Sequence, residues 1–265
     1  MRLHKSYYIF SLLILTSYAS AKFSLDNIVS YVVPKKQEDI VNYEHKFEPD
    51  GSLKIANTNG NINVKTWSQD HMIVEIIKKG NEKDLGEISF DVHLTDELAS
   101  IVTSQPEKNK AEITFNVIVP RQASVHVSTD DGTIKIHQVH NTINAETDRG
   151  DITINESVKK VYARTNNGTI TLKAQQLTDE DYIILENQNG DITAHLSKKI
   201  KGNLSAKTDD GKITSDIEIN LNARTTKLNS EYWDSVKRDV CGKIGTGGPD
   251  IKIATTDGNI KILEY

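Results

Sequence analysis

The sequence predicts an all-β protein in which an antiparallel, sheet-like N-terminal part leads into a β-solenoid repeat array. Three observations carry this prediction. The apolar residues are mostly Ile, Val and Leu, which suit half-buried strands. A twelve-residue phrase recurs seven times, and from residue 125 its copies follow at intervals of 18, 18, 22, 21 and 47 residues. Periods near 20 residues are typical of solenoids. The copies begin at Leu53, Val125, Ile143, Val161, Ile183, Leu204 and Ile251.

Each copy reads as two short strands joined by a glycine bend. In VYARTNNGTITL, Val161 and Ala163 alternate with polar neighbours, so one set faces inward and the other faces water. The bend glycine can take a positive φ without steric cost. A unit of this size cannot bury both strands alone, so we expect copies stacked about 4.8 Å apart. The bend glycines are Gly132, Gly150, Gly168, Gly190, Gly211 and Gly258.

The bends have two interpretations. If the polar pair is a two-residue turn, Thr165 faces Ile170 across a β-hairpin, and the array is a stack of hairpins. The even 18-residue spacing, with only six linking residues in HQVHNT and NESVKK, favours a coiled rung of two short strands. Both interpretations stay open on the pattern alone.

Residues 22–120 are predicted to form an N-terminal β-sheet region, and residues 121–265 the solenoid repeat region. In ITFNVIVP, Ile113, Phe115 and Val117 lie on one face at period two, and Pro120 ends the run. We expect polar loops at 81–87 and 106–110. The predicted N-terminal strands are 44–48, 52–57, 61–66, 71–79, 88–95, 99–104 and 111–119.

The N-terminus predicts export. Arg2 and Lys5 precede an apolar stretch over residues 7–18, and the small residues ASA at 19–21 follow. This is the order of a secretory signal peptide, residues 1–21, and a dozen apolar residues is short of the roughly 20 that a membrane span needs. We expect cleavage after Ala21 and a protein that is secreted, periplasmic or in the cell envelope, without a membrane span.

The net charge limits the classes of binding partner, and the cysteine content limits disulfide formation. Without Arg2 and Lys5 the mature chain has 30 basic and 37 acidic residues, a formal charge of −7. Nucleic acid and anionic lipid surfaces are therefore poor candidate partners.

Cys241 is the single cysteine in the sequence, so no intrachain disulfide can form, and we expect a buried structural thiol.

Two polar columns next to the bend are candidate ligand sites. Hydroxyls and amides in the first column can bond the turn backbone or the next rung, and we favour that structural role. Stacked carboxylates in the second column could bind calcium. Their mutual repulsion in water is only about 1 kcal/mol, so they do not need a cation between them, and the glycine-rich nonapeptide of calcium-binding β-rolls is absent. The columns are Thr129, Thr147, Thr165, Asn187, Thr208 and Thr255, then Asp130, Asp148, Asn166, Gln188, Asp209 and Thr256.

Histidines provide a weaker metal hypothesis. His126, His137 and His140 are the densest group, and His195 occupies the same slot as His137 in a later copy. A zinc site needs three or four converging ligands, whereas polar positions on a strand face are usually solvated. We therefore assign no metal-binding, cofactor-binding or catalytic residue and expect no cofactor.

An enzyme on this scaffold is the alternative. A polysaccharide lyase or hydrolase would need acidic residues with a Lys or Arg on one exposed face. Arg149, Arg164 and Lys207 fall near acidic corners, but in slots where charged residues are ordinary surface. The nucleophile elbow, Walker loop and metalloprotease motifs are absent from the sequence.

Several segments carry a family resemblance. SLKIANTNGNINVKTW, FNVIVP, the repeated T-x-x-G-x-I and the closing GTGGPDIKIATTDGNIKI, over roughly residues 40–265, resemble the bacterial putative-adhesin family, a domain of unknown function predicted to form β-solenoids. Trp67, the Val-Pro pair at 119–120 and the Gly-Gly-Pro before the last copy are its most specific pieces. The resemblance implies attachment to a surface, but its motif residues are architectural and imply no binding residue. The polar interruption at 216–243 departs from the pattern.

These observations predict a non-catalytic binding or scaffolding module at the cell envelope, with an unknown surface ligand such as a glycan or an envelope protein. Exposed terminal rungs also leave self-association open. Acidic and basic side chains aligned in one exposed groove would favour the carbohydrate-active enzyme. A face of uniform Thr, Asn and Lys would favour passive binding.

Overall fold

The computed structural model describes residues 37–157, 159–221 and 238–265. They lie within one unit, Lys35–Tyr265. The predicted signal peptide, residues 1–21, and residues 222–237 of the polar interruption lie outside the described residues. Within the described ranges nearly all regular structure is strand, which confirms the predicted all-β class.

The N-terminal part contains seven strands and a short helix. The helix lies where the sequence predicts a loop at 81–87, and that prediction is wrong because Asn81 caps a helical turn. Its Oδ1 accepts a hydrogen bond from the backbone N–H of Asp84 over 2.8 Å. The bounds are β1 Gln37–Lys46, β2 Ser52–Asn59, β3 Ile62–Trp67, β4 His71–Gly80, α1 Glu82–Gly86, β5 Ser89–Leu94, β6 Leu98–Ser104 and β7 Glu112–Pro120.

Each phrase from residue 125 onward supplies two strands, one on either side of its bend glycine. Two further strands, β18 and β19, flank the part of the polar interruption that lies outside the described residues. The bounds are β8 Ser124–Asp131, β9 Ile134–His137, β10 Ile143–Arg149, β11 Ile152–Ser157, β12 Val161–Asn167, β13 Ile170–Ala174, β14 Tyr182–Asn189, β15 Ile192–Leu196, β16 Gly202–Asp210, β17 Ile213–Ser215, β18 Ile219–Leu221, β19 Asp239–Ile244, β20 Asp250–Asp257 and β21 Ile260–Glu264.

The strands form two sheets. Sheet 1 has the order β1-β4-β7-β3-β9-β11-β13-β15-β21-β17, and sheet 2 has the order β18-β19-β16-β20-β14-β12-β10-β8-β2-β6-β5. A rung is one strand of each sheet joined through a glycine bend, such as β12 and β13. Neighbouring rungs pair in parallel, with Val161 opposite Ile143 on one side and Ile183 on the other.

This pairing decides between the two interpretations of the bends. In a hairpin, β12 and β13 would pair with each other, and Thr165 would face Ile170. Instead Thr165 lies opposite Thr147 and Asn187 in neighbouring rungs, and β13 pairs with β11 and β15. The bends are therefore corners between the sheets, and the solenoid prediction is confirmed.

The last phrase does not lie at the end of the stack. β20 pairs with β14 on one side and with β16 on the other, and β21 likewise lies between β15 and β17. The phrases therefore stack in the order in which they occur in the sequence up to residue 196, and the last two phrases exchange places. β19 then covers the free edge of β16 as an antiparallel strand, and β18 pairs with β19.

The N-terminal part combines both kinds of pairing. β1, β4 and β7 are consecutive antiparallel neighbours in sheet 1, and β5 pairs antiparallel with β6 in sheet 2. β2 and β3, the strands of the first phrase, pair in parallel with β8 and β9. Both sheets therefore continue across residue 120, and the division into regions 22–120 and 121–265 stays a prediction.

One apolar core lies between the sheets. The inward residues of each rung alternate with outward ones, as in Val161, Ala163 and Ile170, each of which is fully buried. Phe47, Phe115 and the Ile, Leu and Val residues of both sheets belong to the same cluster. A helix long and apolar enough to cross a membrane is not found in the described part of the chain.

Candidate functional site

The bend glycines form a continuous row along one edge of the stack. Gly150 has φ 154°, and a Cβ added there would lie 2.0 Å from the carbonyl oxygen of Gly132 in the neighbouring rung. Only a residue without a side chain lets the rungs approach this closely. The same contact joins each later member to its stack neighbour, in the order Gly60, Gly132, Gly150, Gly168, Gly190, Gly258 and Gly211. The predicted row is confirmed, and its role is architectural.

The Thr and Asn column before the bend is buried and bonds the preceding rung. Thr165 is fully buried and donates its hydroxyl to the carbonyl oxygen of Gly150 over 3.0 Å. Thr147 donates to Gly132 over 3.1 Å in the same way. Thr129, Asn187, Thr255 and Thr208 repeat the bond along the stack. These bonds confirm the structural role predicted for the column and leave its donors unavailable to a ligand.

The acidic corners are paired between neighbouring rungs. Asn166 donates to Asp148 over 2.6 Å, and the guanidinium of Arg149 lies 3.2 Å from a carboxylate oxygen of Asp131. Asp151 likewise accepts two hydrogen bonds from the next rung's threonine. Within residues 37–157, 159–221 and 238–265, the His, Cys, Asp and Glu side chains form no group of three or more that could hold a metal ion.

The histidines singled out from the sequence lie on different faces. His126 is on β8 in sheet 2, whereas His137 is on β9 in sheet 1. His195 shares the column of His137 three rungs further along. Burial, together with the charge of Lys54, lowers the pKa of His126. The arrangement separates these imidazoles instead of converging them.

Cys241 is partly buried on β19. Its Sγ lies 3.6 Å from the carboxylate of Asp239 and 3.7 Å from the hydroxyl of Ser205. The thiol is therefore less buried than the sequence predicts, because β19 lies near the end of sheet 2.

Five parallel strands of sheet 1, β3, β9, β11, β13 and β15, share an outward face without carboxylates. Its ten positions form two columns and carry amide, hydroxyl, ammonium and imidazole groups. We call it the Thr–Lys face. It consists of Asn63, Lys135, Thr153, Thr171 and Thr193 in one column and Lys65, His137, Asn155, Lys173 and His195 in the other.

A groove of about 460 Å³ lies at one side of the Thr–Lys face. Lys65, His137 and Lys173 line it together with Gln138, which follows β9, and Glu156, which lies at a β-bulge in β11. Gln138 and Glu156 have positive φ, 57° and 62°, in a region that disfavours ordinary side chains. Their side chains meet, and Gln138 donates to Glu156 over 2.9 Å.

Lys173 is held at the rim of this groove. Its Nζ lies 4.3 Å from the ring centroid of Tyr265, and the Tyr265 hydroxyl donates to the carbonyl oxygen of Ala174 over 3.1 Å. Burial, and secondarily the charge of Glu156, raise the pKa of Tyr265. The ring therefore supports the ammonium in a defined position.

The outward face of sheet 2 carries a different groove. Two adjoining cavities of about 320 and 310 Å³ share Arg164. Glu146 and Asp148 line the first, and Glu186 and Lys207 line the second. We call this the mixed-charge groove, because it brings acidic and basic side chains into one exposed channel.

Unsatisfied acceptors also line the mixed-charge groove. Oδ1 of Asn166 and Oδ1 of Asn187 are buried and have no hydrogen-bond partner among the described residues. The hydroxyl of Tyr162 donates to Glu186 over 3.1 Å at the same place. Burial, followed by the carboxylate of Glu186, raises the pKa of Tyr162.

Neither face was identified from the sequence, although a signal exists. The outward slots after each bend read K-H, T-N, T-K and T-H in four consecutive copies, and the slots before the bend read S, E, R and E. Reading the copies in columns would have shown one face without acids and one with mixed charge.

Parallel rungs closed by a glycine row and a buried threonine column define a β-solenoid-like protein. The chain belongs to the family described as Toastrack DUF4097, whose model matches residues 4–263. The resemblance seen in the sequence is thereby confirmed.

The chain is also similar to solved structures. One is a putative cell adhesion protein from Clostridium sporogenes, at 15% identity and TM-score 0.46, covering 87% of this chain and 100% of that one. Another is a putative adhesin from Bacteroides fragilis, at 12% identity and TM-score 0.35, covering 88% and 99%. A search of curated proteins finds no match. Likeness at this level assigns no function to this chain.

Proposed function

We propose that the protein is a non-catalytic binding or scaffolding module of the cell envelope or the extracellular space, and that the Thr–Lys face is its ligand surface. The observation that carries the proposal is the chemistry of that face, which has hydrogen-bond donors in every rung, lysines in three of the five rungs and no carboxylate among its ten positions. General acid–base catalysis needs a paired acid and base, and this face does not provide them.

The geometry of the face suits passive binding. Parallel pairing repeats the same outward slots at about 4.8 Å from rung to rung, so a repetitive ligand meets similar groups several times. Many weak, equivalent contacts combine into useful avidity without a deep pocket. The glycine row and the threonine column hold the rungs in register, and the face is therefore presented on a rigid support.

The location is part of the proposal. The predicted signal peptide at residues 1–21 supports export, and a formal charge of −7 without it makes nucleic acid and anionic lipid poor partners. Mass spectrometry of the protein made by its own host tests this, because cleavage after Ala21 leaves Lys22 as the first residue. An intact Met1 would overturn the proposed export. Self-association through the free sheet edges stays a prediction.

A carbohydrate-active enzyme is the second candidate function, and the mixed-charge groove favours it. Glu146, Arg164 and Glu186 lie in consecutive rungs at the same register position, with Lys207 in the same groove. A glycoside hydrolase requires a pair of carboxylates at the bond that it cleaves, and Glu146 and Glu186 are the candidate pair in this groove. Arg164 and Lys207 add cations beside them.

One experiment separates the two functions. The purified chain is screened against glycans and envelope components, with and without calcium, and both retention and release of cleaved product are measured. Retention without product supports the binding module, and catalytic release of product supports the enzyme. Absence of retention on every component overturns the binding function.

Matched variants locate the ligand surface in that screen. Thr171→Tyr places a bulky side chain at the centre of the Thr–Lys face, and Asn144→Tyr places the same side chain on the outward face of sheet 2. Both sites are half-buried strand positions, which accept an aromatic residue. We expect only Thr171→Tyr to abolish retention. Loss of retention with Asn144→Tyr alone would move the ligand surface to sheet 2.

A further inference from the structure

We propose that the groove on the Thr–Lys face binds an anionic polysaccharide, a polymer that carries carboxylate or phosphate groups along a sugar or polyol backbone. This inference rests on the proposed function and names the ligand class of the same face.

The first argument is the spacing of the cations. Lys65 directly follows Val64, and Val64 pairs with Ile136, so Lys65 lies beside His137 of the next rung. Parallel pairing then leads from His137 to Asn155, and from Asn155 to Lys173. Three rungs at about 4.8 Å place the two ammonium-bearing residues about 14 Å apart along one column. His137 and Asn155 lie between them in that column. The groove therefore runs across the strands, in the direction in which an extended polymer would repeat its contacts.

The second argument is the charge of the face against that of the whole protein. The chain has 37 acidic and 32 basic residues, yet the ten positions of the face include Lys65, Lys135 and Lys173 and no acid. Lys65 and Lys135 form no ion pair with any described residue. Lys261 extends the first column in the next rung. Cations without local partners on an acidic protein create a patch that attracts an anion.

The third argument is the donor set. Ammonium groups, threonine hydroxyls and the side-chain amide of Asn155 all donate, as carboxylate or phosphate oxygens require. Glu156 and the oxygen of Gln138 accept, as sugar hydroxyls require, and both residues line the groove. Tyr265 holds Lys173 in place, which reduces the entropy lost when that ammonium is bound. Donors for anions together with acceptors for hydroxyls match an acidic glycan better than a bare polyanion.

The test measures the affinity of the purified chain for four immobilised polymers: polygalacturonate, poly(glycerol phosphate), neutral dextran and duplex DNA. We expect binding to one or both of the first two, weakening as salt rises because exposed charges are screened over about 10 Å at 0.1 M. Selectivity between carboxylate and phosphate identifies the source of the anion. Equal binding to dextran, or equal or tighter binding to DNA, overturns the inference while the proposed binding function stands.

Charge-matched variants complete the test. Lys65→Gln with Lys173→Gln removes two cations from the groove, and Lys54→Gln with Lys252→Gln removes two from the outward face of sheet 2. We expect affinity for the acidic polymer to fall about tenfold or more in the first pair and less than about twofold in the second. Equal losses would show a non-specific charge effect and overturn the inference. Unchanged thermal unfolding of both pairs verifies that each variant is folded. If neither these polymers nor any component of the wider screen is retained, the proposed function itself falls.

Discussion

The hydroxyl of Thr165 donates a 3.0 Å hydrogen bond to the carbonyl oxygen of Gly150, and this bond joins two rungs at their common corner. The corner also receives the backbone bond from Gly150 N–H to the carbonyl oxygen of Asn167, over 2.9 Å. Every glycine of the row before the last, Gly211, is thus bonded to the next rung through both its donor and its acceptor. We therefore expect substitutions at this corner to lower the free energy of unfolding more than substitutions elsewhere in the rung.

Gly150→Ala tests the steric requirement of the glycine row. The new methyl group would lie 2.0 Å from the Gly132 carbonyl oxygen, on a backbone at φ 154°. Strain of this kind costs about 1–3 kcal/mol before the clash is counted, so we expect a loss of more than about 3 kcal/mol in urea unfolding. Gly86→Ala is the control, since nothing lies within 4 Å of its added Cβ, and it should change stability by less than about 1 kcal/mol. Similar losses in the two variants would contradict the packing described for the row.

Thr165→Val tests the hydroxyl. Valine keeps the shape of the side chain but leaves the Gly150 carbonyl without its threonine donor, so we expect a loss of about 1–2 kcal/mol in the free energy of unfolding. Thr171→Val, on the Thr–Lys face, makes the same substitution at a half-buried position and should stay within about 0.5 kcal/mol of the original chain. Equal effects would mean that the buried hydrogen bond contributes nothing.

Asn187→Thr should stabilise the protein. Asn187 occupies the threonine slot, where its amide donates to Gly168 over 2.8 Å but its buried oxygen has no partner among the described residues. Threonine can donate the same bond without the unsatisfied oxygen, and we expect a gain of about 1 kcal/mol in thermal or chemical unfolding.

Asn57→Thr is the opposing control for that substitution. Asn57 donates to the carbonyl oxygens of Gly60 and Ile113, and its oxygen accepts from Thr103 over 3.0 Å. Threonine cannot replace all three bonds, so a loss of about 1–2 kcal/mol is expected. A gain at both positions would point to a general preference for threonine in strands instead.

His126 should make stability depend on pH. Its pKa is lowered in the folded protein, first by burial and then by Lys54, relative to the ordinary value of 6.5. The unfolded chain therefore binds a proton first, and the stabilising difference is present above pH 6.5 and is lost as the pH falls through 6.5 toward the lowered pKa. Unfolding measured across this range should show a shallower slope in His126→Gln than in the original chain. A slope in His126→Gln equal to that of the original chain would contradict the assignment.

The rung itself could be predicted from the sequence. Period-two alternation placed Val161 and Ala163 inward, the glycine marked the bend, and the short linkers after residues 136 and 154 excluded long crossovers. These are local signals, because a strand's alternation and a glycine's conformational freedom depend on few neighbours. The threonine column was predicted correctly for the same reason, since Thr165 needs only the adjacent rung to find its acceptor.

The order of the rungs could not be predicted. Every phrase presents the same alternating pattern, so Ile251 pairs equally well, on pattern alone, with Ile183, with Leu204 or with nothing. The choice depends on where the chain travels between residues 215 and 250, which is a long-range property. The functional faces were missed for a related reason. Lys65 and Lys173 are 108 positions apart in the sequence, and they line the same groove only because the strands between them pair in register.

The interior position of β20 and β21 has a consequence for biosynthesis. β17 cannot pair until Ile260–Ile262 have been synthesised, because its one partner among the described strands is β21. β16 can pair with β19 earlier, but it joins the preceding rungs only through β20. The segment from Gly202 to Ser215 therefore cannot join the stack in the order in which it is synthesised, and it has to wait for residues 250–262, which separate it from the preceding rungs.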